Sequence, residues 1–216
     1  MIIAIDGPAG SGKSTIANLL AQKLKFTYIN TGAMYRAVTL YILNEKLLEK
    51  VKQDESIIKK ILPNINIEIK DDKIFLNKLD VTENIRTDQV TKEVSYISSI
   101  SEVRRYLVEL QRQLGRKQNS ILEGRDIGTN VFPDADFKFF LVADVKERAK
   151  RRLLQEGGDK TLEYIIEDIK RRDEYDSTRK ENPLKKATDA IEIDTTNLTI
   201  EEVLEKIIKI IRGKVK

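Results

Sequence analysis

Gly7-Pro8-Ala9-Gly10-Ser11-Gly12-Lys13-Ser14 fits the pattern G-x-x-x-x-G-K-[ST]. A short apolar run with β-branched residues, 1–5, precedes it and reads as a buried strand. Ile16, Leu19, Leu20 and Leu24 follow at helical spacing. Strand, glycine-rich turn and helix, in that order, are the setting in which this pattern cradles phosphate. The glycines reach backbone angles closed to other residues. Successive N–H groups can then turn inward as an anion nest at the head of a helix. Lys13 can reach terminal phosphates, and the Ser14 hydroxyl can ligate Mg2+. The competing reading, a chance match in a glycine-containing turn, does not account for the flanking strand and helix.

Composition narrows the chemistry. The chain has 216 residues, 40% hydrophobic and 34% charged, which suits one soluble domain with insertions and excludes a disordered chain. There is no Cys, hence no disulfide framework and no thiolate metal site. There is no His, which removes a phosphohistidine intermediate, a Ser-His-Asp triad and imidazole-bound zinc. The net charge of +4 suits acidic ligands, but acids and bases are interleaved rather than segregated. Aromatics are only 6% and Trp is absent, so a stacking platform for single strands is not expected, and neither nucleic acid nor membrane is expected as a partner. The chain opens in a strand, and no apolar run approaches the ~18 residues that span a bilayer. A cytoplasmic protein with no leader is the expectation.

Outward from the loop, Phe26-Thr27-Tyr28-Ile29 is a candidate second strand running into Asn30-Thr31-Gly32-Ala33-Met34-Tyr35-Arg36. Ligands of open α/β sheets bind at the carboxyl ends of strands, so Thr31, Tyr35 and Arg36 are candidates for a second ligand. Arg36 by itself reads as a solvated charge. A helix over about 33–43 follows, then a Lys/Glu-rich, surface-lying helical stretch over 44–62. Ile65-Asn66-Ile67-Glu68-Ile69 alternates with period two, Asp71-Asp72 marks a turn, and Ile74-Phe75-Leu76 returns. With Leu79-Asp80-Val81 this predicts an antiparallel insertion, equally readable as decoration or as a substrate contact. Residues 84–100 are polar and Ser-rich, with Arg86 and Ser95 standing out and no element assigned. Ser101 opens a helix to about Gly115, on which Arg104, Arg105 and Arg112 read mostly as solvated charges.

Ser120-Ile121-Leu122-Glu123-Gly124-Arg125-Asp126-Ile127-Gly128-Thr129 places two acids, an Arg and glycines at the end of a short strand, a cluster that packing alone does not explain. Arg125 can clamp phosphate, and Glu123 lies where an acid steadies hydrated Mg2+. A strand over 137–142 and a helix over 146–155 with Arg148, Lys150, Arg151 and Arg152 follow, broken by Gly157-Gly158. A longer helix, about 162–176, carries Arg172 and Asp176, with Arg179 continuing the same face. Its plainest reading is an exposed salt-bridge stripe. A last strand over 190–194 and a helix over 199–211 close a five-stranded parallel α/β sheet. The arginines suit transfer between two phosphorylated ligands, with a lid that shuts out water. A phosphate acceptor is already ionised at neutral pH, so no base, and no His, is required.

The motifs IDGPAGSGKST (5–15), TGAMYR (31–36), EGRDIGTNVFPDAD (123–136) and RRDEYDSTR (171–179) resemble those of the bacterial cytidylate kinases, nucleoside monophosphate kinases of the P-loop class. The resemblance spans essentially the whole chain. It implies one three-layer P-loop kinase domain over 1–216, with core segments about 1–30, 84–145 and 180–216. It also implies a nucleoside-monophosphate-binding region about 31–100 holding the β insertion, and a short lid about 148–179. The implied reaction is ATP plus CMP or dCMP giving ADP plus CDP or dCDP with Mg2+, in a monomer. Gly7, Pro8, Ala9, Gly10, Ser11, Gly12, Lys13, Ser14 and Thr15 would hold the ATP phosphates. Lys13, Arg125, Arg148, Arg152 and Arg172 would stabilise the migrating phosphoryl. Arg36, Arg125 and Arg172 match positions that bind the CMP phosphate. Ser95, Arg104 and Asp126 match those reading cytosine, and Tyr35, Asp176 and Arg179 those near the sugar. A carboxylate can accept the cytosine N4 amino group, whereas uracil would face it with a carbonyl. Many relatives carry Asp where this chain has Asn30, which removes an acidic role there and leaves Glu123 as the substitute. Kinases of another small acceptor such as UMP or AMP, and a P-loop nucleotide switch or ATPase, are the alternatives; no N-K-x-D guanine motif is present.

Overall fold

The computed structural model describes residues 1–70, 72–156 and 160–214, so the expected break at Gly157-Gly158 lies outside the described residues. Along the chain come β1 (Ile2–Asp6), α1 (Lys13–Leu24), β2 (Thr27–Asn30), α2 (Thr31–Asn44), α3 (Leu48–Gln53) and α4 (Ile58–Ile61). Next are β3 (Ile67–Lys70), β4 (Lys73–Leu76), β5 (Leu79–Asp80), α5 (Asp88–Ser99) and α6 (Ser101–Gly115). Last come β6 (Ser120–Gly124), β7 (Phe137–Val142), α7 (Val145–Glu156), α8 (Leu162–Thr178), β8 (Ile191–Asp194) and α9 (Ile200–Lys214). The chain divides into two compact units, Met1–Ile29 with Leu114–Lys216, and Asn30–Gln113.

The first unit is built on a five-stranded sheet of order β2-β6-β1-β7-β8. β1 runs parallel to β6 and to β7, and β8 parallel to β7, as the alternation of short apolar runs and helices predicts. Alternate residues of a strand share a face. Ile3 and Ile5, Phe137, Phe139 and Leu141, Ile121 and Ile193 accordingly pack with Ile16, Leu20, Val203, Ile207 and Ile211 of α1 and α9. Each such side chain contributes about 1.5–3 kcal/mol on leaving water. From β1 the chain goes to β2 and β6 on one side, and later to β7 and β8 on the other. The carboxyl end of β1 is therefore a topological switch point, where open α/β sheets bind ligands. The phosphate-loop sequence begins there.

The second unit is helical with a separate antiparallel sheet of order β3-β4-β5. Ile67 pairs with Leu76 and Ile69 with Ile74, the register set by the period-two pattern. Asn77 and Lys78, both at positive φ (50° and 71°), make the two-residue turn into β5. The Asn77 side chain also accepts from Asn66 N at 2.8 Å and donates to Asn64 O at 3.0 Å, which fixes that turn.

Two stretches differ from expectation. Residues 84–100 hold helix α5: the Thr87 side chain caps it by accepting from Val90 N, and Val90, Val94 and Ile97 bury one face. Its serines lie off that face or bond back to the helix, as Ser98 Oγ does to Ser95 O at 3.0 Å. The 44–62 stretch is not one surface helix but short pieces around 3-10 turns, with Val51 and Ile58 fully buried.

Candidate active site

Gly7 leaves β1 at φ 149°, and a Cβ there would stand 2.1 Å from the Leu141 carbonyl oxygen, so the close approach to β7 requires glycine. Gly12 enters α1 at φ 89°. Lys13 is the first residue of α1 and is buried. Its Nζ donates to Pro8 O at 2.6 Å and lies 3.4 Å from Ser11 Oγ. Burial, reinforced by the nearby Arg125 guanidinium and only partly opposed by Glu123, Asp173 and Asp6, lowers its pKa to about 7. A buried lysine whose charge is disfavoured chiefly by desolvation, and which is in no ion pair among the described residues, is set for a polyanion.

Ser14, one residue along α1, donates to Glu123 Oε1 at 2.6 Å, and the Tyr28 hydroxyl donates to the same oxygen at 3.1 Å. Glu123 is buried in β6, in register with Ile5 of β1. The parallel pairing thus carries an acid to the loop's edge from more than a hundred residues away.

Beyond β6, Arg125 Nε donates to Asp176 Oδ2 at 2.9 Å. Burial works against the guanidinium charge, but Asp176 and Glu123 outweigh it and hold the Arg125 pKa above its ordinary value. Asp126 accepts from Arg179 Nη2 and from Asn130 Nδ2, each at 3.1 Å. The expected exposed stripe on α8 is thus overturned: Asp176 is buried, and Arg179 pairs inward with Asp126, both nearly inaccessible. Arg172 is partly buried, and its Nε is buried with no hydrogen-bond partner among the described residues. Burial, with repulsion from Arg125 and Arg152, lowers its pKa to about 10.

The arginines of α7 divide. Arg148 Nη1 donates to Ala9 O at 2.8 Å and Arg152 Nη1 to Asp168 Oδ2 at 2.7 Å. Arg151 is a structural tie, with Nη2 on Thr195 O at 2.6 Å and Nη1 on Thr195 Oγ1 at 3.0 Å.

In the second unit, Asn30 Oδ1 accepts from Ala33 N at 2.8 Å and caps α2, so this side chain is a helix cap. Thr31 and Tyr35 are buried on α2. Arg36 is not a solvated charge: its Nη1 donates to Ile85 O at 3.0 Å and Thr91 Oγ1 at 2.9 Å. Arg104 is also corrected, being 2% exposed, stacked 5.6 Å from the Tyr35 ring centre and bonded to Ser98 O at 3.2 Å. Arg105 does face solvent, and Ser95 lies partly buried on α5.

Three acids escaped the sequence reading. Asp6, the last residue of β1, accepts from Ile127 N at 2.8 Å and Gly128 N at 2.7 Å. Burial, against those two bonds and with the Asp126 charge, raises its pKa to about 6. Asp168 holds both Arg152 and Arg171, and Asp173 holds Arg148. A charged residue ending the apolar run Ile2-Ile3-Ala4-Ile5 was the available signal for Asp6.

A phosphate loop at a sheet's switch point, a buried lysine opening the next helix and guanidiniums around it define the first unit as a P-loop nucleotide-binding fold. The sequence model of the family described as "Cytidylate kinase" matches residues 3–213. The chain belongs to the cytidylate kinase family. It is 52% identical over 213 residues to a cytidylate kinase of Fusobacterium nucleatum, covering 97% of this chain and 96% of that protein. It is 53% identical over 211 residues to one from Clostridioides difficile, covering 96% of each. An uncharacterized protein from Eubacterium ventriosum, solved by crystallography, shares the fold with a TM-score of 0.54 at 16% identity, covering 99% of this chain and 98% of that one. Among the described residues, no helix is long and apolar enough to cross a membrane.

Proposed function

We propose that the protein transfers the γ-phosphoryl group of ATP to CMP or dCMP, giving ADP and CDP or dCDP. Membership of the cytidylate kinase family across residues 3–213 carries this reading. A phosphate oxygen of the monophosphate attacks the γ-phosphorus, a new P–O bond forms, and the bond to the bridging oxygen breaks as ADP leaves. The acceptor oxygen is ionised at neutral pH, so the residues orient and neutralise rather than remove a proton.

Residues 7–15 hold the ATP phosphates, with Lys13 supplying the buried positive charge. Magnesium prefers oxygen donors and keeps several waters, taking one or two groups from a protein. Ser14 Oγ, with Glu123 at 2.6 Å to steady the bound waters, fits that demand. When bound, the ion neutralises phosphate charge. Arg125, Arg148, Arg152 and Arg172 stabilise the charge on the migrating group, and Arg36, Arg125 and Arg172 bind the phosphate of CMP. Asp126 accepts the cytosine amino group, and Arg104 and Ser95 donate to its N3 and O2. Thr31, Tyr35, Asp176 and Arg179 contact the nucleoside and its phosphate. The Tyr35–Arg104 stack and the Asp126–Arg179 pair support these roles by holding the reading groups still before the base arrives. A cytoplasmic monomer acting on small nucleotides completes the reading.

A coupled ADP-release assay with Mg-ATP and CMP, dCMP, UMP, AMP or GMP tests it. Selective turnover of CMP and dCMP is expected. Preference for another monophosphate overturns the acceptor, and ADP release without acceptor overturns the kinase reading. Asp126→Ala is expected to lower kcat/KM for CMP by about 100-fold while the KM for ATP moves little. Equal losses for both nucleotides would remove Asp126 from base recognition.

A further inference from the structure

Asp173 lies in the RRDEYDSTR segment, between Arg172 and Asp176, and the reading above gives it no task. Its Oδ1 accepts from the backbone N–H of Ala9 at 2.9 Å, and its Oδ2 accepts from Arg148 Nη1 at 2.5 Å. The same Nη1 donates to the Ala9 carbonyl at 2.8 Å, and Arg148 Nε is anchored on Ala143 O at 3.0 Å. Ala9 is therefore gripped at both its N–H and its C=O by one carboxylate–guanidinium pair. The grip is tight on the neighbouring residue too: a Cβ on Gly10 would stand 3.2 Å from Arg148 Cβ.

A carboxylate here has a cost that a structural clip would avoid. It is near enough to Lys13 to oppose the lowering of the lysine's pKa, so it also opposes an incoming polyanion. Any neutral acceptor could satisfy the Ala9 N–H. Only a charged one also holds the Arg148 guanidinium by a charge-assisted bond on the loop.

We propose that Asp173 is a positioning residue for phosphoryl transfer: it closes a hydrogen-bonded ring through Arg148 and the Ala9 peptide, fixing the outer edge of the phosphate loop and the guanidinium set on it. The inference rests on the kinase reading above and refines it, since Ala9 then shapes the loop while later residues offer their N–H groups to phosphate. Losing the ring frees Arg148 and the loop edge to wander, and misplacement of this kind costs rate more than ground-state binding.

The test compares wild type with Asp173→Asn, Asp173→Ala, Arg148→Ala and the double Ala variant, measuring kcat, both KM values and Tm. Asp173→Ala is expected to lower kcat by about 10- to 100-fold with the KM for CMP within about 2-fold. Asp173→Asn keeps an acceptor for Ala9 N–H but lacks the charge. It should recover part of kcat and show a KM for ATP equal to or below that of wild type. The double variant should be no slower than Arg148→Ala alone, because the two residues act as one unit. Unchanged kcat with a lowered Tm, a KM for ATP that rises in step with the loss of kcat, or additive losses would each overturn the proposal. Wild type in the same assay separates the two readings: if it fails to phosphorylate CMP, the kinase reading falls first.

Discussion

The phosphate loop and the arginine-bearing segments of the first unit handle positive charge in opposite ways. Around α7 and α8, the guanidiniums that set geometry each hold a carboxylate: Arg148 with Asp173, Arg152 with Asp168, Arg125 with Asp176 and Arg179 with Asp126. At the loop, Lys13 Nζ bonds to a carbonyl and a hydroxyl and, among the described residues, makes no ion pair; on α8 itself Arg172 is the exception, its Nε having no hydrogen-bond partner among those residues. The consequence appears in the pKa values. Lys13 falls to about 7 and Arg172 to about 10, whereas Arg125, buried beside its carboxylate, rises. Paired cations are held in place by the fold. Under-neutralised ones carry a desolvation cost that an arriving phosphate relieves, and no carboxylate has to be displaced first.

The sharpest way to break this contrast is to remove the under-neutralised lysine. Lys13→Met is expected to lower kcat by about 1,000-fold without lowering Tm, because a buried charge leaves while the apolar stem stays. A Tm that falls in step with activity would mean that Lys13 is stabilised by its surroundings, contrary to the contrast. Arg172→Ala should cost about 100-fold in kcat/KM for CMP. If Arg172 were already satisfied within the protein, the loss would appear as stability instead.

The smallest effect is the most specific. Lys13 in the free protein titrates near 7, so at pH 8.5 it is mostly neutral, and bound triphosphate should restore its proton. Calorimetry of ATP binding in buffers of different ionisation enthalpy should therefore show uptake approaching about one proton at pH 8.5, shrinking as pH falls below 7. Lys13→Met should abolish the uptake. The same shift has a folding counterpart. The unfolded chain holds its Lys13 proton up to about 10.5, so between 7 and 10.5 this residue makes stability rise with pH, and the Met variant lacks that contribution.

What was legible beforehand follows the range of the interactions. The phosphate loop, the five parallel strands and the antiparallel insertion rest on local spacing, and the structure has them. Helix α5 was also locally encoded, by Thr87 as cap and Val90, Val94 and Ile97 at helical spacing, but its serines obscured the pattern. The acids that organise the site were hidden for a different reason. Asp173 meets Ala9 across 164 residues and Asp6 meets Gly128 across 122, and no periodicity reports such a contact. The same distance misled the reading of Arg104 as a surface charge, because only the folded second unit places Tyr35 beneath it. Motif matching named the residues proposed to meet the nucleotides and passed over Asp6, Asp168 and Asp173, whose partners Gly128, Arg152 and Ala9 lie elsewhere in the chain.

The most direct single measurement is phosphorus NMR of the purified protein with Mg-ATP and CMP. Direct transfer predicts ADP and CDP rising together in equal amounts, with no inorganic phosphate and no change when CMP is withheld. Inorganic phosphate appearing in place of CDP, or ADP forming at the same rate without CMP, would contradict phosphoryl transfer to the monophosphate.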